Sequence, residues 1–193
     1  MNLINQGSGS FNRIGRKTYP KSVRLTGVCE AVIKLEATTF NYYGATLRCV
    51  LVWDNQPNSS AVPNYNDIFG NTNAIGTEAS NVNDALRYDN MQRFSVLKDW
   101  RITLNPSSNP FTGGSVNALC LTRSFDKYYE FKPISKKETT YSSTQVAPTL
   151  PLYSDIATGG LLLVYRVDVN ASATPAATAV SVSRATARFR FTD

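Results

Sequence analysis

The chain has 193 residues and 21.2 kDa, enough for one domain with a full core, and at 42% apolar and 18% charged residues it is not a disordered chain. It contains no His, which excludes His-based triads and His metal sites and removes the commonest general base. The formal charge is +6; residues 1–29 supply +5 through Arg13, Arg16, Lys17, Lys21 and Arg24, and the rest holds 15 basic and 14 acidic residues, or +1. A basic N-terminal stretch points to a polyanion, nucleic acid being the usual one, or to a strand edge whose Lys and Arg block stray pairing.

Ser, Thr and Asn number 54, which favours short strands and polar loops over helices. Met1 to Gly15 is rich in Gly, Ser and Asn and reads as an extended segment. From Tyr19 to Leu35 the apolar positions Val23, Leu25, Ile33 and Leu35 recur with period two, predicting a half-buried strand, broken into two around Gly27. Ala45 to Asp54 is apolar and β-branched, as a central strand is, and Asn55-Gln-Pro57 ends it. Residues 55–84 form a long polar stretch, the kind that is usually functional or an interface, with room for one helical turn within Pro63 to Phe69.

Arg93 to Leu104 alternates, with Phe94, Val96, Trp100, Ile102 and Leu104 on one parity. Lys98 falls on that parity too and predicts a bulge nearby. Asn117 to Lys132 holds one or two strands, Thr139 to Ser143 a short one, and Gly159 to Asp168 the most apolar one. In the last strand, Ser183 to Thr192, Ala187, Phe189 and Phe191 share one parity and are expected to face the core, while Arg188 and Arg190 share the other. About eight strands with no amphipathic helix mean an all-β sandwich or barrel.

Chemistry is sparse. Cys29, Cys49 and Cys120 make no CxxC pair; buried free thiols in a reducing compartment are the expectation. Ser124-Phe-Asp-Lys127 fits SxxK without the other motifs of that enzyme class, and Gly7-Ser-Gly9 lacks the third glycine of a dinucleotide fingerprint. Carboxylate pairs such as Asp84 with Asp89, or Asp126 with Glu130, read as ion-pair partners of Arg87 and Lys127. The expectation is therefore no enzyme, no cofactor, no metal site and, since the longest apolar runs are far too short to span a bilayer, no membrane partner.

Gly7-Ser-Gly9-Ser-Phe-Asn-Arg-Ile-Gly-Arg-Lys17 followed by Lys21-Ser-Val resembles the start of the capsid domain of geminivirus-like circular single-stranded DNA viruses. Leu51-Val-Trp-Asp54, Asp67-Ile-Phe69, Asp84-Ala-Leu-Arg-Tyr-Asp89, Arg93-Phe, Gly160-Leu-Leu-Leu-Val-Tyr165 and Ala185 to Asp193 continue the likeness in order. The resemblance implies an eight-stranded antiparallel jelly-roll sandwich with long loops and at most short helices. It also implies a shell of sixty copies (T=1), or a related icosahedral assembly, around a single-stranded DNA genome, in the virion and, during assembly, in the host nucleus or cytoplasm. Residues 1–16 are then an N-terminal extended segment, lacking the long basic arm usual upstream in that family, and residues 17–193 the capsid domain. A carbohydrate- or ligand-binding jelly roll and the coat of a small satellite RNA virus are the alternative readings, and a host receptor or vector factor is left unassigned.

In a jelly roll the first and last strands are neighbours in one sheet. Arg24, Arg188 and Arg190 are then expected to emerge together on its non-core face, with Arg13, Arg16, Lys17 and Lys21 leading into the same edge. Such a strip meets phosphate without regard to sequence, and Phe11 or Tyr19 is placed to stack on unpaired bases.

Overall fold

A computed structural model describes residues 2–6, 12–34, 42–57, 61–70, 81–104, 118–132, 137–142, 152–171 and 177–193, with side chains at all of these except 31–34, 42–43, 118–121, 169–171 and 177–183. The strands in chain order are β1 (Lys17–Lys34), β2 (Tyr42–Asp54), β3 (Phe94–Leu104), β4 (Ala118–Glu130), β5 (Thr139–Tyr141), β6 (Ile156–Thr158), β7 (Gly160–Ala171) and β8 (Ala177–Thr192). One short helix, α1 (Tyr65–Ile68), lies between β2 and β3.

The strands form two antiparallel sheets packed face to face, an all-β jelly-roll sandwich. In the first, β1 lies between β4 and β8, and its first two residues also pair with β5, which pairs with β6. In the second, β2 lies between β3 and β7. First strand with last and second with second-to-last are the pairings that a jelly-roll ribbon makes. The run Cys49–Trp53 shows no alternation because both of its faces are covered. Leu47, Leu51 and Trp53 pack on Val23, Leu25 and Cys29 of β1, while Val50 and Val52 pack on Tyr65, Ile68 and Phe69.

That second contact changes the reading of residues 55–84. Their described part is a cover rather than a free loop. Asn64 caps α1, accepting from the Asp67 amide at 3.1 Å, and Asp67 accepts from the Asn64 amide at 2.8 Å, a reciprocal cap that sets the turn. Tyr65, Ile68, Phe69 and Val82 are all buried beneath it. Arg48, 6% exposed, is the polar centre of this layer: it donates to Asp99 at 2.8 and 3.0 Å, to the Tyr65 hydroxyl at 2.8 Å and to the Asp84 carbonyl at 2.6 Å.

β3 departs from the single face that its alternation predicts. A bulge at Leu97, where Leu51 pairs with Lys98 but Val52 with Val96, reverses the facing. Trp100, Ile102 and Leu104 enter the core between the sheets, whereas Phe94 packs on the α1 side and Val96 is exposed. β1, in turn, is one strand and not two. Its register with β8 shifts at Gly27, beside Ala185 and an Arg184 held at φ 49°. A Cβ on Gly27 would press on the Phe125 ring at 2.8 Å, so the close approach there requires glycine.

β8 faces as its parity predicts but is less buried. Phe189 and Phe191 stack at 6.0 Å and are half-buried against the core, while Ala187 is exposed at the open side of the sandwich. Cys29 and Cys49 are free and buried, and burial pushes the Cys49 thiol up to about 11; the Cys120 side chain lies outside the described residues. Among the described residues no group of His, Cys, Asp and Glu could hold a metal ion, and no helix is long and apolar enough to cross a membrane.

A buried ion pair fastens the start of β3 to the end of β2. Asp54 is fully buried and accepts from Arg93 Nη2 at 2.8 Å, from the Tyr153 hydroxyl at 2.6 Å and from the Gln56 amide at 2.9 Å. Burial, and then Asp54, hold the Tyr153 phenol far above the usual tyrosine range. Removing Arg93 leaves the buried Asp54 charge with only the Tyr153 hydroxyl and the Gln56 amide, so Arg93→Ala is expected to cost about 3 kcal/mol in a urea unfolding titration. Phe189→Ala is expected to cost about 2 kcal/mol, less than the 3–5 kcal/mol of a fully buried Phe, because the ring is only partly buried. The same titration, with Leu47→Ala as the fully buried standard, checks that order.

Candidate nucleic-acid interface

The non-core face of the first sheet is set by alternation on three strands. Val23 and Leu25 are buried at 0% and 4% exposure, so Arg24 between them points outward. Phe189 and Phe191 face the core, so Arg188 and Arg190 also point outward. The register puts Arg24 directly opposite Arg188 on β8 and opposite Tyr128 on β4, with Ser22 opposite Arg190. Ser22, Arg24, Asp126, Tyr128, Arg188 and Arg190 line one cleft of about 530 Å³.

Two like charges directly opposite each other on paired strands repel. Asp126 relieves part of this, taking Arg24 Nε at 3.0 Å and Nη2 on its second oxygen. The pairing raises the Arg24 pKa and holds the Asp126 carboxyl below its usual range, chiefly through that hydrogen bond. Arg188 and Arg190 are exposed and make no ion pair among the described residues.

The N-terminal basic residues divide. Arg16, Lys17, Tyr19 and Lys21 are exposed at the start of β1; Lys17 meets Glu138 at 3.0 Å and Tyr19 pairs with Thr192 in register. Lys21 sits in the register shift between Pro20 and Ser22 and lines a long groove with Asn12, Arg188, Arg190 and Asp193.

Arg13 does not join the strip. It is 1% exposed, donates through Nε to the Ile4 carbonyl at 3.2 Å and through Nη1 to the Gly15 carbonyl, and lies 4.0 Å over the Tyr141 ring. Burial lowers its pKa from the usual arginine value. The cause is the path of the N-terminal segment, which folds back on the body. Asn2 is fully buried and donates to the Thr139 hydroxyl at 2.6 Å and the Gly159 carbonyl at 2.9 Å; its own carbonyl accepts from the Tyr141 hydroxyl at 2.6 Å. Arg13 then fills the space between that strap and Tyr141, out of reach of a phosphate. Phe11 lies outside the described residues.

Tyr128 and Ser22 belong to the cleft without having been singled out by the sequence, and Asp126, expected as an ion-pair partner of Lys127, pairs with Arg24 across the strands instead. Alternation in β4 puts Asp126 and Tyr128 on one face, yet only the β1–β4 register shows that this face adjoins the arginines.

The sequence matches the family described as Geminivirus coat protein/nuclear export factor BR1 over residues 1–188. No curated protein matches the chain. A match over nearly the whole length, on an eight-stranded jelly-roll sandwich, settles the assignment: the chain belongs to the Geminivirus coat protein/nuclear export factor BR1 family, and it is a viral coat protein of the virion.

Proposed function

We propose that this coat protein assembles as an icosahedral shell, of sixty copies or a related number, around a single-stranded DNA genome, and that the non-core face of the first sheet is turned toward that genome. One observation supports this reading above others: Arg24, Arg188 and Arg190 converge on one cleft, and two of the three lack an ion pair among the described residues. A sheet face that sets Arg24 opposite Arg188 is relieved by an anion, and a phosphate backbone offers a row of them. Arg16, Lys17 and Lys21 extend the basic surface along the start of β1, with Tyr19 exposed among them for stacking on an unpaired base. Arg13 is left out of the contact set, since its guanidinium is spent on the strap and on Tyr141. The role is structural, without catalysis, and assembly takes place in the host nucleus or cytoplasm.

Two measurements test this. Negative-stain microscopy across salt and protein concentration is expected to show closed particles; a monomer under every condition contradicts the assembly. A salt titration of single-stranded DNA binding is expected to give a log–log slope shallower by about 0.7 for each of Arg188→Ala and Arg190→Ala. Arg13→Ala is expected to keep the wild-type slope while losing about 1–3 kcal/mol of stability, as a buried hydrogen-bonded arginine does. An unchanged slope in the double variant of Arg188 and Arg190 removes this face from genome contact.

A further inference from the structure

We propose that the cleft on the non-core face of the first sheet takes one nucleotide of a single strand, its base stacked on Tyr128 and its phosphate between Arg188 and Arg190. This rests on the genome-facing role above and adds to it the residue that selects unpaired over paired bases.

Tyr128 is 56% exposed near the end of β4, a strand whose other face is core: its neighbour Tyr129 turns inward and meets Phe131 edge-on at 5.0 Å. Tyr128 thus offers an aromatic face to solvent, on a rigid element, at the wall of a cleft. The opposite wall is cationic. Arg24, next to Tyr128 in register, is held by Asp126, so the charge available to a phosphate lies across β1 at Arg188 and Arg190. Two strand spacings separate β4 from β8, about 9–10 Å. The sugar of one nucleotide, with the reach of an arginine side chain, fills that gap between a stacked base and its phosphate. Ser22, only 6% exposed, lies in the same cleft, where its hydroxyl can meet the sugar. The volume of about 530 Å³ is that of a small-ligand site.

The ring also gives the cleft a choice. In a duplex the base faces are stacked on one another, and reaching one requires unstacking and unpairing. A single strand presents its bases at no such cost, so Tyr128 adds affinity for single strands only. The arginines alone would bind either form.

The test compares short oligothymidine, an abasic oligomer of the same length and a duplex, each titrated against the full chain at one salt concentration and across a salt series. The wild type is expected to bind oligothymidine about 5- to 100-fold more tightly than the abasic strand. Tyr128→Ala is expected to remove most of that preference with the salt slope unchanged, what Tyr19 contributes remaining, and Tyr128→Phe to keep it. Since Tyr128 lies on the solvated face, melting temperatures of both variants should match the wild type, and Tyr128→Phe keeps the ring should Ala disturb the strand. Equal wild-type binding of the two strands, with a slope still dependent on Arg188 and Arg190, overturns the stacking and leaves the genome-facing role standing. A preference undiminished in Tyr128→Ala overturns it as well. A slope indifferent to the arginines overturns the genome-facing role and this inference with it.

Discussion

Everything else in the molecule hangs on the pairing of β1 with β8, the first strand with the last. It runs from Tyr19 opposite Thr192 to Lys34 opposite Ala177 and joins residues far apart in the chain. A pairing of such sequence separation has a loop-closure cost that only a large apolar return offsets. That return is the inner face, where Val23 and Leu25 reach zero or near-zero exposure and Phe189 packs on both parts of the core. The Ile14 amide, hydrogen-bonded to the Asp193 carboxylate at 2.8 Å, ties the two ends of the pair together.

The same register dictates the chemistry of the opposite face. Side chains alternate along a strand, so a slip of one residue would bury Arg24, Arg188 and Arg190 and expose Val23, Leu25 and Phe189. Burying an unpaired guanidinium costs far more than the repulsion between exposed arginines. The like-charge contact of Arg24 with Arg188 is therefore enforced by the core and not selected by the surface. The sheet accepts a strained charge arrangement that solvent and Asp126 partly relieve.

Where alternation was clean, the sequence was informative. β8, the first part of β1 and the bulge next to Lys98 were legible because side-chain period and facing are local properties. Pairing partners are not local. Nothing in Ala118 to Glu130 says that it lies beside β1, so Tyr128 and Asp126 could not be joined to the arginines beforehand. Arg13 lies away from the expected strip for a related reason. In the sequence it is one more cation in a basic run, and only the burial of Asn2 and Ile4 shows that the segment folds back and encloses it. Three-residue β6 carries too few residues for a period to show. The cover by α1 was hidden because its apolar residues, Tyr65, Ile68 and Phe69, sit in a stretch that is polar on average.

The two sheets consequently differ on their far sides. The second sheet is sealed there: α1, Phe69 and Val82 lie over it, and the deeply buried Arg48 is satisfied by Asp99, Tyr65 and the Asp84 carbonyl. Among the described residues nothing covers the first sheet there, and it bears arginines with spare hydrogen-bonding capacity. Arginine in the two settings does opposite work. Enclosed with a carboxylate, a phenol and a carbonyl, Arg48 fixes one arrangement of the layer above it, because leaving any of those groups unpaired is costly. Exposed beside its like and without an ion pair among the described residues, Arg188 keeps its donors for a partner. A subunit built this way has two chemically unlike faces, and the asymmetry follows from which sheet the residues between β2 and β3 happen to cover.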